Sequence, residues 1–230
     1  MNVTNNKKIL IIVLSVFVGV ISAAQDLSVE ETYLQKSVEM MIISEQARSI
    51  DRDTKLAALK YIRQTIDKGN PSAEIQEILS YMALEGVLHR IRAEGVTANN
   101  FPDIRIKAVE YLGDLKGDSA VTTLVRVLLA ENEPSVVTEA VRALTKHGFD
   151  ENSYTLDVIL YVFKRYDSMM PDNALAISVI DSCLAFSGGA GAKNPWIYST
   201  LSYISLNPSY VSPVRRHAVE TLAKIYKTGS

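Results

Sequence analysis

A helix-opening phrase recurs along this chain in one register. It reads Asp53-Thr-Lys-Leu-Ala-Ala-Leu-Lys-Tyr-Ile62, Asp103-Ile-Arg-Ile-Lys-Ala-Val-Glu-Tyr-Leu112, Ser135-Val-Val-Thr-Glu-Ala-Val-Arg-Ala-Leu144 and Pro213-Val-Arg-Arg-His-Ala-Val-Glu-Thr-Leu222. A small residue (Ala58, Ala108, Ala140, Ala218) is followed at +1 by Leu or Val and at +4 by Leu or Ile. A degenerate copy puts Val179 at the small position and Cys183 at +4. Such self-similarity marks a stack of like helical units and restricts the chain to repeat architectures.

The segments between and around these phrases also read as helices. Ser28 and Glu31 form a capping-box signature, in which hydroxyl and carboxylate satisfy orphan N–H groups, ahead of a capping helix over 29–50 with apolar Leu34, Val38, Met41 and Ile42. Phrase helices are expected over about 53–67, 102–115, 134–147, 171–186 and 213–226. A long helix over 72–93 carries Ile75, Ile78, Leu79, Met82, Leu84, Val87, Leu88 and Ile91, and others cover about 118–130, 154–166 and 195–206. Asp118 is the expected cap of the 118–130 helix, and Pro171 the expected opener of the 171–186 helix. Gly69, Gly117 and Gly148 stand where helix ends need a left-handed residue. No segment sustains strand alternation, so about ten helices in antiparallel hairpins are expected, an all-α chain.

Relative to the small residue, positions −4, 0, +1 and +4 share one face of a 3.6-residue helix. In the second unit these are Ile104, Ala108, Val109 and Leu112, and in the fifth Val214, Ala218, Val219 and Leu222. A central Ala lets a partner helix approach closely while the larger residues fill the gaps. One hairpin cannot cover both its own stripe and its neighbour's, so the units must stack.

The small positions are spaced 50, 32, 39 and 39 residues apart, close to the roughly 40-residue two-helix unit of HEAT and armadillo proteins. Phe101-Pro-Asp-Ile-Arg-Ile-Lys-Ala-Val-Glu-Tyr-Leu-Gly113 resembles the second helix of a HEAT repeat, and Pro213 to Leu222 is similar. The resemblance, to an exported bacterial member of the HEAT-repeat (armadillo-type) family, runs from about Asp51 to Tyr226. Val137 stands where the family has Arg, and Val179 where it has Ala. It implies an α-solenoid of about five HEAT-like helix pairs, with degenerate repeats over 51–230 and second helices lining a concave partner surface. The candidate protein-binding face is then Leu56, Lys60, Ile106, Lys107, Glu110, Glu139, Arg142, Asp181, His217 and Glu220.

The first 24 residues differ in kind. Lys7 and Lys8 precede an apolar run from Ile9 to Ile21 and then Ser22-Ala23-Ala24, the pattern of a signal peptide cleaved after Ala24. A retained signal anchor is the alternative. A single domain over 25–230 remains, its formal charge falling from −2 to −4 with 22 basic against 26 acidic residues. The two signs are interspersed, without the basic stripe that nucleic-acid binding requires. Cys183 is the only cysteine, which excludes an intramolecular disulfide, and it reads as a buried small hydrophobe.

Chemistry is sparse in the pattern. His89, His147 and His217 fall in separate units, and Glu85 with His89 reads as an i,i+4 polar pair on the 72–93 helix. Ser187-Gly-Gly-Ala-Gly-Ala-Lys193 departs from a phosphate loop, since Ala192 separates Gly from Lys and no Ser or Thr follows. The expectation is a monomeric, exported, non-catalytic protein-binding scaffold or assembly factor of the periplasm or cell envelope. It would use no cofactor or metal, bind no nucleic acid and insert in no membrane once the signal is cleaved. A HEAT-like lyase or small-molecule-binding protein and a self-assembling structural envelope subunit are the alternatives.

Overall fold

The computed structural model describes residues 28–69, 71–148, 154–188 and 194–228. Residues 1–24, where the sequence suggests a signal peptide, and most of the glycine stretch, 189–193, lie outside the described residues. Of those described, residues up to Met41 belong to one compact unit and those from Ile42 onward to a second. The chain is all-α. Its helices are α1 (Val29–Arg48), α2 (Arg52–Asp67), α3 (Ala73–Leu84), α4 (Pro102–Asp114), α5 (Asp118–Ala130), α6 (Pro134–His147), α7 (Tyr154–Asp167), α8 (Asn173–Ala185), α9 (Pro195–Leu206) and α10 (Ser212–Thr228). No described helix is long and apolar enough to cross a membrane.

Local chemistry sets most of these bounds. At the start of α1 the capping box forms: Ser28 N–H donates to Glu31 Oε2 at 2.9 Å and Glu31 N–H to Ser28 Oγ at 3.2 Å. Asp51 accepts from Thr54 N–H at 2.7 Å to open α2, and Asp172 from Leu175 N–H at 2.8 Å to open α8. Pro102, Pro134 and Pro195 sit in the first turn of α4, α6 and α9, where a missing N–H costs nothing. Two expected starts shift slightly. Gly117, not Asp118, precedes α5, and Asp172 rather than Pro171 starts α8, because its carboxylate supplies the cap that Pro171 lacks.

The larger departure concerns the helix expected over 72–93. It ends at Leu84, and a hairpin of two short strands, β1 (Arg92–Ala93) and β2 (Val96–Thr97), occupies the continuation. Gly86 is the physical reason. It has φ +77, and a Cβ there would lie 2.6 Å from the Asn99 carbonyl oxygen, so backbone runs against backbone at that point. Beyond Leu84 the residues that imitate helical spacing leave the core: Val87 is half-buried, and Leu88 and Ile91 are exposed. This insertion also explains why the first two small positions stand 50 apart and the later ones 32 to 39.

Within the unit from Ile42 onward, the phrase helices α2, α4, α6, α8 and α10 form one row in which each packs on the next. Helices α3, α5 and α7 form a second row in the same way, and α3, α5, α7 and α9 pair with α4, α6, α8 and α10 respectively. The predicted stripe is the core of this arrangement: Ala58, Leu59, Ile62, Ile104, Ala108, Val109, Leu112, Ala140, Val141, Leu144 and Ala218 are all buried. Burial of one large apolar side chain contributes about 1.5–3 kcal/mol. Cys183 is fully buried as expected, and burial pushes its thiol up to about 12. The stripe fails in the last unit. Val219 is 54% exposed and Leu222 only half-buried: among the described residues no helix covers the +1 side of α10.

Close packing between α4 and α6 depends on Gly113. A Cβ there would lie 2.9 Å from Ala143 Cβ and 3.1 Å from its Cα. Gly113→Val is expected to force these helices apart and cost about 1–3 kcal/mol, the usual penalty of overpacking. A denaturant melt of the variant checks this, and an unchanged midpoint would refute the close approach.

Candidate functional site

None of the ten residues proposed from sequence is buried. Leu56, Ile106, Glu139 and His217 are half-buried, and Lys60, Lys107, Glu110, Arg142, Asp181 and Glu220 are exposed. They lie on α2, α4, α6, α8 and α10, the five helices of the unbroken row, so residues far apart in sequence share one succession of helices. Part of their charge is spent between neighbours. His217 Nε2 and Asp181 Oδ1 are 2.8 Å apart across α10 and α8, and Arg142 reaches Glu139 at 3.4 Å on α6.

Further ion pairs stitch the same row. Arg52 meets Asp103 at 2.7 Å, joining α2 to α4. Asp114, on α4, accepts from Arg63 of α2 and Lys146 of α6. Burial raises the Asp114 carboxyl, but these two cations outweigh it and hold it below the usual carboxylate range. His147, which precedes Gly148 at the end of α6, places its Nε2 3.1 Å from the Leu112 carbonyl and so links α6 to α4. Tyr111 is buried as a packing residue, with the Arg63 guanidinium 5.2 Å from its ring centroid.

Two buried ion pairs, at equivalent places in successive units, form a second feature. Lys55 and Arg105 both stand three residues before the small residue of their phrase, and both are buried. Each reaches a Glu at the C-cap of the first helix of the next pair. Lys55 Nζ lies 2.5 Å from Glu85 Oε2, and Arg105 Nε 2.6 Å from Glu131 Oε2. The remaining polar atoms find partners. Lys55 also donates to the Ala47 carbonyl, and Asn99 donates to both Glu85 and the His89 carbonyl. Glu131 Oε1 accepts the N–H groups of Asn132 and Glu133, just ahead of α6. Glu85 and His89 are therefore not a helical i,i+4 pair. The carboxylate is buried beyond the helix end, while the His89 ring stacks on Tyr81 with centroids 5.5 Å apart. The third unit has Val137 at this position and carries no such pair.

A polar recess of about 310 Å³ lies beside the second pair, lined by Gly86, Arg90, Asn100, Arg105, Glu131 and Glu133 among others. Its two buried charges, Arg105 and Glu131, pair with each other. Among the described residues no group of three His, Cys, Asp or Glu side chains could hold a metal ion.

A larger concavity lies elsewhere, between α7 and α9, with a volume of about 650 Å³. Helices α3, α5 and α7 pack in succession, but α7 and α9 stand apart and are joined at their ends. Asn194, the cap of α9, donates to Asp157 near the start of α7 at 2.9 Å. Tyr203 and Tyr210 both donate to Asp167 at the end of α7. That bond to Asp167 raises the Tyr203 phenol, and burial followed by the same carboxylate raises Tyr210. The helices therefore run parallel, and the slot follows α7 for about 15 Å at 1.5 Å per residue.

Leu160 and Phe163 are buried lining residues, while Tyr161, Trp196 and Tyr203 are 62%, 61% and 47% exposed. Sequence reading passed over these aromatics because α7 and α9 are not phrase helices. Trp196 and Tyr203, seven apart on one face of α9, were the available signal. Likewise, the shared register of Lys55 and Arg105 could have revealed the paired carboxylates. No protein-family model, curated protein or solved structure matches this chain.

Proposed function

We propose that this chain is an exported, non-catalytic protein-binding scaffold or assembly factor of the periplasm or cell envelope. On this reading the two rows of helices form a HEAT-like α-solenoid, and the chain acts as a monomer with no cofactor. The observation that supports it is the unbroken row α2–α4–α6–α8–α10, which places all ten candidate residues on five successive helices without burying one of them. A long, ridged surface with both signs of charge and half-buried Leu56 and Ile106 suits an extended protein partner. Complementary charge on such a surface sets specificity and encounter rate more than raw affinity.

The test compares pull-downs from envelope extract using residues 25–230 and the triple variant Lys60→Glu/Lys107→Glu/Arg142→Glu. All three side chains are exposed, so the melting temperature should barely change. The expected result is a saturable partner that the wild type retains and the variant loses at least tenfold, with binding that weakens as salt rises. A partner bound equally by both proteins would move the site off this row. No saturable partner at any salt concentration would overturn the scaffold reading.

A further inference from the structure

We propose that the slot between α7 and α9 is a separate docking site for a peptide segment of another protein. The segment would bear two or three large apolar side chains and an Asp or Glu whose carboxylate meets Lys164. This site lies outside the row of phrase helices and stands independently of the reading above.

Geometry favours a peptide over a compact ligand. The three exposed aromatic residues are strung along the slot, with Trp196 in the first turn of α9 and Tyr203 seven residues further on. Tyr161 lies one turn from Asp157, at the same end as Trp196. A small-molecule site instead gathers a few polar groups around one point. Aromatic side chains that remain half-exposed beside a buried apolar floor are the usual anchors of protein interfaces, where Trp and Tyr carry most of the energy. The floor here is Leu160 and Phe163. Packing elsewhere in the row shows what the seam lacks. Helices α5 and α7 close on each other, whereas α9 turns Ser199 and Thr200 towards the slot and leaves room for side chains from outside.

Charge selects the segment further. The slot contains Asp157, Lys164 and Asp167. Asp157 already accepts from Asn194, and Asp167 from the hydroxyls of Tyr203 and Tyr210, so both carboxylates are held by donors of the slot itself. Lys164 is the slot's one cation; it is exposed, and its side chain makes no hydrogen bond or ion pair with a described residue, so it is the group there that can meet an incoming carboxylate. A carboxylate placed among apolar side chains satisfies Lys164 while the rings cover the seam, a charge-assisted contact of the stronger kind.

Trp196 is the only tryptophan, so it reports directly on the slot. The experiment is a phage-display selection of random 12-residue peptides on residues 25–230, counter-selected on Trp196→Ala and followed by fluorescence titration of synthetic winners. The expected peptides carry at least two of Leu, Ile, Phe or Trp together with Asp or Glu. Peptides without Trp should shift the Trp196 emission to shorter wavelength. Trp196→Ala should weaken binding at least tenfold and Lys164→Glu about fivefold or more. Exchanging the peptide's acid for Lys should restore binding to Lys164→Glu. Both variants alter exposed side chains, so circular dichroism and melting temperature should match the wild type.

Winners without an acidic residue, or indifferent to Lys164→Glu, would overturn the assigned chemistry. A library yielding nothing dependent on Trp196 would overturn the site. Concentration-dependent dimerisation abolished by Trp196→Ala would also overturn the proposal, by giving the slot to a second copy of the chain.

Discussion

Leu112→Asp abolishes the cooperative fold. Leu112 is fully buried on α4, the helix that touches α2, α3 and α6 at once. The substitution removes a large apolar side chain, a loss of about 2–5 kcal/mol in comparable cores. It also places a carboxylate at a fully buried position, at a further cost of several kcal/mol. A domain of this size holds about 5–15 kcal/mol in total. The expected outcome is a chain recovered as aggregate, or one that is protease-sensitive with no sharp thermal transition. Val219→Asp is the matched control. Its position is the register equivalent of buried Val109, yet it is 54% exposed, so its effect should stay within about 0.5 kcal/mol. A folded Leu112→Asp with an unchanged transition would refute the stacking of α4 into the row. A collapse of Val219→Asp would show that another chain segment or partner covers α10.

That pair also shows where sequence reasoning succeeds and where it stops. The repeated phrase made the core of α2, α4 and α6 legible, because a stripe at −4, 0, +1 and +4 can be buried only by a neighbouring helix of the same kind. Register alone cannot see where the row ends, so it assigned Val219 the environment of Val109. The stretch after Leu84 failed for a different reason. Val87, Leu88 and Ile91 continue a helical period, but Gly86 at positive φ and the close approach of Asn99 decide the backbone there, and neither contact is local in sequence. The ten candidate positions were legible only as ones that avoid the core, six exposed and four half-buried, since the phases off the stripe follow from the same periodicity. The slot was not, because it arises from two helices that fail to meet, and a missing contact has no periodic signature. The buried charges were half legible: Lys55 and Arg105 share a register position, but their partners lie 30 and 26 residues away at helix ends.

Those buried charges carry the second large effect. Removing Glu85 leaves Lys55 fully buried without its counter-charge, and breaking such a pair from one side typically costs about 3–5 kcal/mol. Glu85→Ala is therefore expected to lower the melting temperature by about 10 °C, taking 2–4 °C per kcal/mol for a chain of this length. Glu131→Ala should be at least as severe. Besides stranding Arg105, it releases the Asn132 and Glu133 N–H groups that Glu131 accepts before α6. The double variant Lys55→Met/Glu85→Leu separates pairing from packing. If the charges serve mainly to satisfy each other, replacing both with apolar side chains of similar volume removes two desolvation costs together with their mutual attraction. Recovery is then limited by Tyr81 and Asn99, whose hydroxyl and amide donate to Glu85 and lose that acceptor. The expected double-mutant cycle, with Lys55→Met and Glu85→Leu as its single variants and read from denaturant melts, has a coupling energy of at least about 2 kcal/mol, with the double variant more stable than Glu85→Leu alone. Additive single effects would mean that Lys55 and Glu85 act independently, and that the recurrence of buried pairs in the first two units does not bind one helix pair to the next.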